Sequence, residues 1–388
     1  MTWVLFALAA FGLLAALVQL AVLRVHVAAR KPAPASLPPI SILKPLCGMD
    51  DGLEENLLSF ARIDYPAYEV VLGVRDASDA AHPLARTFAA RWPDRFRVVL
   101  QRGEAGFNPK VNQLVGLQAA ARHDVLLVSD SNVRAPAGYL HDVARHLADP
   151  GVGLVTHPVG GQGEASLGAA LDNLHASAAV GPATVAAKRL AGRDVVVGKS
   201  MAFRRSDLEA LGGFASAKDV LAEDYVLGLR VSRELGKRVA VGSVAVASVN
   251  HSRGVGAFVA RYRRWCVMQR KLAGTPLYAA QALLYPLPFA VAGLALAPVP
   301  AALGAVIGTW IGKAALDAAT ARTLRGRGFG LRILWLSPLK DVLFLYGFLR
   351  ALGEDTVEWR GNRLRVGPGS RLSRVPEPAT GRALALGR

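Results

Sequence analysis

Cysteine is scarce in this chain: 388 residues hold two, Cys47 and Cys266. They have no metal-ligand spacing, and two unpaired thiols suit a reducing compartment. Acidic residues are also short, 29 against 46 Lys and Arg, which leaves a formal charge of +17. A basic excess suits nucleic acid, anionic lipid or a phosphorylated substrate. No zinc-finger, RNA-recognition or basic-zipper pattern is present, so no nucleic-acid partner is expected. Gly198-Lys199-Ser200 lacks the glycine spacing of a Walker A loop, which leaves ATP hydrolysis without support. No internal repeat is found.

Apolar residues are plentiful, at 52%, with a mean hydropathy of +0.30. They concentrate in residues 1–23 and 277–352, while the middle of the chain has globular composition. The run 3–23 is uncharged and about as long as a membrane-spanning helix. Nothing basic precedes it, unlike a signal peptide, and Arg24, Arg30 and Lys31 follow it. The positive-inside rule then places the N-terminus outside and the rest in the cytoplasm. Residues 24–37 read as a basic, proline-bearing linker.

After 276, stretches 277–297 and 299–320 read as packed membrane helices rich in Ala, Gly and Pro. Arg322, Arg325, Arg327 and Arg332 mark a cytoplasmic loop. The stretch 333–352 is shorter and carries Lys340 and Asp341, so it reads as re-entrant or interfacial. Residues 353–388 read as a basic, partly disordered tail. A multi-pass protein of the cytoplasmic or inner membrane is expected, with a cytoplasmic domain at 38–276.

Within 38–276, apolar strands at 40–43, 69–74, 97–100 and 124–128 alternate with helices at 51–62, 81–91 and 110–122. That order predicts an α/β fold, a mostly parallel sheet with helices on both faces. Ligands bind such sheets beyond the carboxyl ends of the strands. Asp76 and Asp130 each stand just past one.

Glycosyl transfer from a nucleotide sugar needs charge on the departing diphosphate, a base for the acceptor hydroxyl and a pocket that orients the nucleotide. Asp130, in Leu127-Val128-Ser129-Asp130-Ser131-Asn132, can hold Mg²⁺ or Mn²⁺ against a diphosphate; its plain reading is a turn aspartate. Asp76 can accept from uracil or ribose, or simply sit on a surface loop. Asp224, in a predicted helix opening at Glu223, can be the general base or an acid placed to suit the helix dipole. Asn108-Pro109-Lys110-Val111-Asn112 opens a helix whose lysine and backbone N–H groups can meet phosphate. Gly198 lets backbone approach a sugar. In Arg261-Tyr262-Arg263-Arg264-Trp265, Arg264 can brace a diphosphate and Trp265 can line an acceptor site, or the whole can be a membrane-surface helix.

Taken in order, these pieces resemble the ceramide glucosyltransferase family, a lipid-directed branch related to the inverting glycosyltransferases of family 2. Lys44-Pro45-Leu46-Cys47-Gly48 resembles its K-P-L-x-G segment, and Asp64-Tyr65-Pro66-Ala67-Tyr68-Glu69-Val70 its D-Y-P-x-Y-E-V segment. The chain also has its N-P-K-x-N piece at 108–112, its A-E-D-Y piece at 222–225 and its (Q/R)-x-x-R-W motif at Arg261, Arg264 and Trp265. The resemblance implies a GT-A fold with N-terminal and C-terminal membrane helices, a UDP-sugar donor, a divalent cation and a membrane-lipid acceptor. It implies donor contacts at Lys44, Asp76, Lys110, Asn112, Gly198 and Arg261. Metal and diphosphate fall to Asp130, and catalysis to Asp224, Arg264 and Trp265. One departure is that Asn132 stands where many GT-A enzymes carry a second carboxylate. The Ala-, Arg- and Gly-rich composition looks bacterial and leans towards a hopanoid-linked branch, with glucose or N-acetylglucosamine as the sugar. The alternatives are a processive polysaccharide synthase and a non-catalytic membrane scaffold.

Overall fold

The computed structural model describes residues 1–29, 32–359 and 361–375. A long helix, α1 (Thr2–Ala28), comes first, followed by the α/β alternation. That alternation runs β1 (Ile40–Pro45), α2 (Leu53–Ala61), β2 (Tyr68–Val74), α3 (His82–Arg91), β3 (Phe96–Leu100), α4 (Pro109–Ala120) and β4 (Val125–Ser129). The expected strands and helices are all there, with ends displaced by at most two residues.

The chain continues through β5 (Val133–Arg134), α5 (Tyr139–Leu147), β6 (Val152–Thr156), β7 (Val159–Gln162), α6 (Leu167–His175), α7 (Gly181–Ala191), β8 (Ser200–Arg204) and α8 (Arg205–Ala210). Next are α9 (Glu223–Glu234), β9 (Arg238–Val241), β10 (Val246–Val249) and α10 (Val255–Ala273). One π-helical turn, Ala176–Val180, joins α6 to α7.

Seven strands form the main sheet in the order β3-β2-β1-β4-β8-β6-β9. Strand β8 is antiparallel to both neighbours, while the other pairs are parallel. Alternation along the strands sorts side chains to two cores. Ile40, Ile42, Val70 and Leu72 pack with α2 and α3 through Leu57, Phe60 and Phe88. Leu43, Val71, Leu126 and Val128 pack with α4 and α9 through Val111, Leu114 and Leu227. A small second sheet, β5-β10-β7, lies past the end of β4 and carries the chain into α10.

The C-terminal part is α11 (Thr275–Ala280), α12 (Pro286–Leu296), α13 (Pro300–Arg325) and α14 (Ile333–Arg350). Among the described residues, Thr2–Ala28 is the helix long and apolar enough to cross a membrane. It extends past the expected 3–23; Arg30 and Lys31 lie outside the described residues. The expected helix at 277–297 is two pieces, Thr275–Leu284 and Pro286–Leu296, bent by 76°. Helix α13 has 26 residues, but Lys313, Asp317, Arg322 and Arg325 lie along it. Among the described residues, no single C-terminal helix is both long and apolar enough to cross a membrane. Large apolar side chains are nevertheless exposed along α12–α14, among them Leu296, Ile307, Ile311, Trp335 and Leu349.

The tail expectation needs correcting. Strands β11 (Thr356–Trp359), β12 (Asn362–Val366) and β13 (Leu372–Arg374) form a three-stranded antiparallel sheet. Val357, Leu364, Val366 and Leu372 bury against Tyr262 and Cys266 of α10 and its neighbours, so alternation outweighs the basic composition. The rest of the tail, 376–388, lies outside the described residues.

Candidate active site

Asn108 is the N-cap of α4: its side chain accepts from the backbone N–H of Lys110 and Val111, with Pro109 in the first turn. Its amide then donates to Glu223 Oε2 at 3.2 Å and to Val220 O at 2.7 Å. Two segments more than a hundred residues apart are thereby locked together. Lys110, in the first turn of α4, reaches Asp130 Oδ1 at 2.9 Å and Glu223 Oε1 at 3.1 Å, and donates to Gly198 O at 2.9 Å.

Asp130 stands at the end of β4 with its second oxygen 3.6 Å from Lys199 Nζ. Lys199 also donates to Asn132 Oδ1 at 2.7 Å. The residue in the place of a second carboxylate thus orients a lysine. Burial would raise the Asp130 carboxyl, but Lys110 and Lys199 hold it down at about 2. The Lys199 ammonium is lowered by burial to about 8. Lys110 is held above its ordinary range by Asp130, Glu223 and Asp224 despite burial.

Asp224 sits in the first turn of α9, where an acid suits the helix dipole. Its Oδ2 accepts from Gly198 N at 2.6 Å and its Oδ1 from Tyr225 N at 2.7 Å. Burial first, and then the neighbouring Glu223, push its carboxyl up to about 7. A Cβ at Gly198 would fall 2.9 Å from both Asp224 Oδ2 and Lys110 Nζ. Glycine here lets backbone reach the charged groups directly.

Helix α10 supplies Arg261, Tyr262, Arg264 and Trp265. Arg261 pairs with Asp172 Oδ2 at 2.8 Å, and the Tyr262 hydroxyl donates to Asp172 Oδ1 at 2.7 Å. Arg253 approaches the same carboxylate at 3.5 Å. Arg264 lines the cleft and reaches Glu358 O at 3.5 Å. Trp265 lines it too, its ring edge-on to Tyr262.

One cavity of about 1420 Å³ joins these groups. Lys110, Asn112, Asp130, Gly198, Asp224, Arg261, Arg264 and Trp265 all line it. Asn112 also clamps Gly106 through both its backbone N–H and C=O. Two candidates are placed otherwise. Lys44 shares strand parity with Ile40 and Ile42, so it points into the core: its buried ammonium lies 3.9 Å from the Phe60 ring and donates to Asp130 O at 2.8 Å. Lys44 supports the β4 end rather than facing the cleft. Asp76 is exposed and turns back on Ser78, accepting from its N–H and hydroxyl; its neighbours Arg75 and Asp79 line the cleft instead.

Sequence reasoning missed Lys199, Glu223, Asp172 and Arg253. Asp172 had a readable signal, a lone acid in the apolar run of α6. Among the described residues no group of three His, Cys, Asp or Glu side chains could hold a metal unaided. Asp130 could supply the single carboxylate of a cation that otherwise takes waters and substrate phosphates, as Mg²⁺ does.

The model of glycosyl transferase family 21 matches residues 4–372. The chain is 24% identical over 351 residues to Ceramide glucosyltransferase 3 of Caenorhabditis elegans, covering 87% of this chain and 75% of that protein. A Ceramide glucosyltransferase of Komagataella phaffii is 27% identical over 201 residues, 46% of this chain and 39% of that one. Among solved structures, a mannosyltransferase from Pyrobaculum calidifontis in complex with GDP-Man and Mn²⁺ superposes with a TM-score of 0.58 at 23% identity, covering 91% of this chain and 99% of that one. That likeness shows the fold, of GT-A type.

Proposed function

Because the chain belongs to glycosyl transferase family 21, we propose that it transfers a hexose from a UDP-sugar to a hydroxyl of a membrane lipid, with inversion at the sugar carbon. The observation that carries this reading is the charge row Lys199–Asp130–Lys110–Glu223 beside Asp224, in a cleft whose far wall is built by apolar helices. The lipid acceptor is supported by curated relatives named ceramide glucosyltransferases.

In the proposed reaction the Asp224 carboxylate removes the proton of the acceptor hydroxyl. A carboxyl at about 7 is poised for that work near neutral pH. The freed oxygen attacks the anomeric carbon as the bond to UDP breaks, and one displacement inverts the centre. Lys110 and Lys199 offer positive charge where the diphosphate departs, and Arg264 braces it from α10. A divalent cation would sit on Asp130 and share the charge of the leaving group. Trp265 gives the acceptor a wall. Helix α1 anchors the chain, and the exposed apolar residues of α12–α14 rest the cleft against the cytoplasmic leaflet of the cytoplasmic membrane. Ceramide and a hopanoid polyol both present a hydroxyl on an apolar body, and glucose and N-acetylglucosamine both suit the donor site.

The test is to incubate membranes containing the protein with several UDP-sugars and a total lipid extract, then identify products by mass spectrometry. One sugar added to one lipid class is expected. A sugar polymer, or no sugar-dependent product with any donor, overturns the reading.

A further inference from the structure

The cleft is larger than a nucleotide sugar needs; single-ligand pockets run to roughly 1,000 Å³ at most. Part of its lining comes from the N-terminal and C-terminal helices. The walls there include Ala16 and Gln19 of α1, Ala183 of α7, and Leu284 and Leu316 of the C-terminal part. Set among them are His175 of α6, Lys313 and Asp317 of α13, and Lys340 of α14.

These charges form a closed set. Lys313 meets Asp317 at 2.5 Å and Asp341 at 3.5 Å, while Lys340 meets Asp341 at 2.6 Å and Asp317 at 3.2 Å. Ser337 donates to Asp317 at 2.7 Å. The two cations and two anions pair with one another, side chain to side chain. Ionisable groups in an apolar helical layer are costly. Replacing such ion pairs by apolar residues is often neutral or stabilising, so helix packing alone does not require them.

His175 is the open member. It is 3% exposed, and its Nδ1 has no hydrogen-bond partner among the described residues. The ring is held between Tyr262 and Phe344, at centroid distances of 4.2 and 4.6 Å. Burial first, then Lys340 and Lys313, keep the imidazole well below its ordinary range. It is therefore neutral, with one nitrogen to donate and one to accept. The π-helical turn that follows it, a distortion common at functional sites, also lines the cavity through Ala178 and Ala179.

We propose that this inner chamber binds the polar head of the acceptor lipid, a neutral group with hydroxyl or amide functions beyond the reacting hydroxyl, and that His175 hydrogen-bonds it. The proposal rests on the lipid-acceptor reading above. It makes His175 a specificity residue for the acceptor.

The test uses the full chain in detergent micelles, with UDP-glucose and UDP-N-acetylglucosamine as donors. The acceptor probes are N-hexanoylsphingosine and bacteriohopanetetrol, each compared with 1-dodecanol, which has a single hydroxyl. Wild type should prefer the better polar lipid over dodecanol by about tenfold or more in kcat/KM. His175→Phe preserves the ring stack and removes the polar atoms; it should bring that preference to within about twofold, with donor KM unchanged. His175→Gln loses the stack but keeps a donor and an acceptor, and should retain most of the preference. A purely structural ring reverses the order, Phe tolerated and Gln not, and that result overturns the proposal. Equal use of polar lipid and dodecanol by wild type overturns it alone, leaving the lipid reading intact. Hydrolysis of UDP-sugar with transfer to none of the three lipids sinks both.

Discussion

The cleft has two charged ends built in opposite ways. At the proposed donor end, Lys110, Asp130, Lys199, Glu223 and Asp224 come from strand ends and the first turns of helices. Backbone groups share in the bonding there: Gly198 gives its N–H to Asp224 and its C=O to Lys110. At the helical end, Lys313, Asp317, Lys340 and Asp341 bond side chain to side chain across two helices. Loops and helix starts leave N–H groups pointing outward, where a charged ligand can use them. Helix interiors spend every backbone group internally, so side chains must neutralise one another. The first arrangement suits a charged substrate that arrives and leaves. The second suits a permanent, neutral polar wall.

The sharpest break in the donor end is Asp224→Asn. It should lower turnover by about 10²–10⁴-fold while UDP affinity by calorimetry changes little. Near-normal turnover would remove the base from Asp224. Next is Lys110→Met, which strips the shared cation from Asp130 and Glu223. Unfolding should become easier by about 3–5 kcal/mol in denaturant titration, with UDP binding weakened as well. The same change at Lys313 should cost stability but leave UDP affinity alone; if both variants lose UDP equally, the two ends are not separate.

pH separates two carboxylates of the same end more gently. As the proposed base, Asp224 would act deprotonated, and it sits at about 7, so kcat/KM should fall about tenfold per pH unit below 7. Its folded value exceeds its ordinary 3.8, so the folded chain holds more protons between those values. The stability it lends is full below about pH 4 and lost as pH rises through 7. Asp130, held down at about 2, works the other way: its contribution is present above about pH 4 and lost as pH falls through 2. A flat activity profile between pH 5.5 and 7.5 would contradict the Asp224 assignment.

The smallest effect concerns the C-terminal sheet. Ser370, at φ 64°, accepts from Ala222 N–H with its hydroxyl and from Leu221 N–H with its carbonyl. The segment leading into Asp224 is thus held by residues nearly 150 positions away. Ser370→Ala orphans one buried N–H and should cost about 1–3 kcal/mol in thermal unfolding, with a modest loss of kcat. Unchanged stability would mean that the strands do not brace the donor end.

The alternation of strands and helices, the apolar first helix and the order of the motifs were all legible along the chain, because each depends on neighbours a few residues apart. Asp130, Lys110 and Asp224 were readable as candidates for the same reason: strand ends and helix starts advertise themselves locally. Composition pointed the wrong way at 356–374, where arginines and glycines look like a loose tail but alternation builds three strands. Lys44 shows a limit of motif reading, since its place in a shared segment says nothing about which face of β1 it occupies.

What the sequence determined by itself was the inventory: an α/β sheet, an apolar first helix, and carboxylates and lysines at strand and helix ends, since backbone geometry and periodicity are local. Only the tertiary structure decided the partnerships. It put Asn108 against Glu223, Lys199 on Asp130, Asp172 under Arg261, Ser370 beneath Ala222 and His175 beside the charges of two distant helices. These contacts depend on how elements far apart in the chain pack, and on burial, which decides whether a carboxyl sits at about 2, like Asp130, or at about 7, like Asp224.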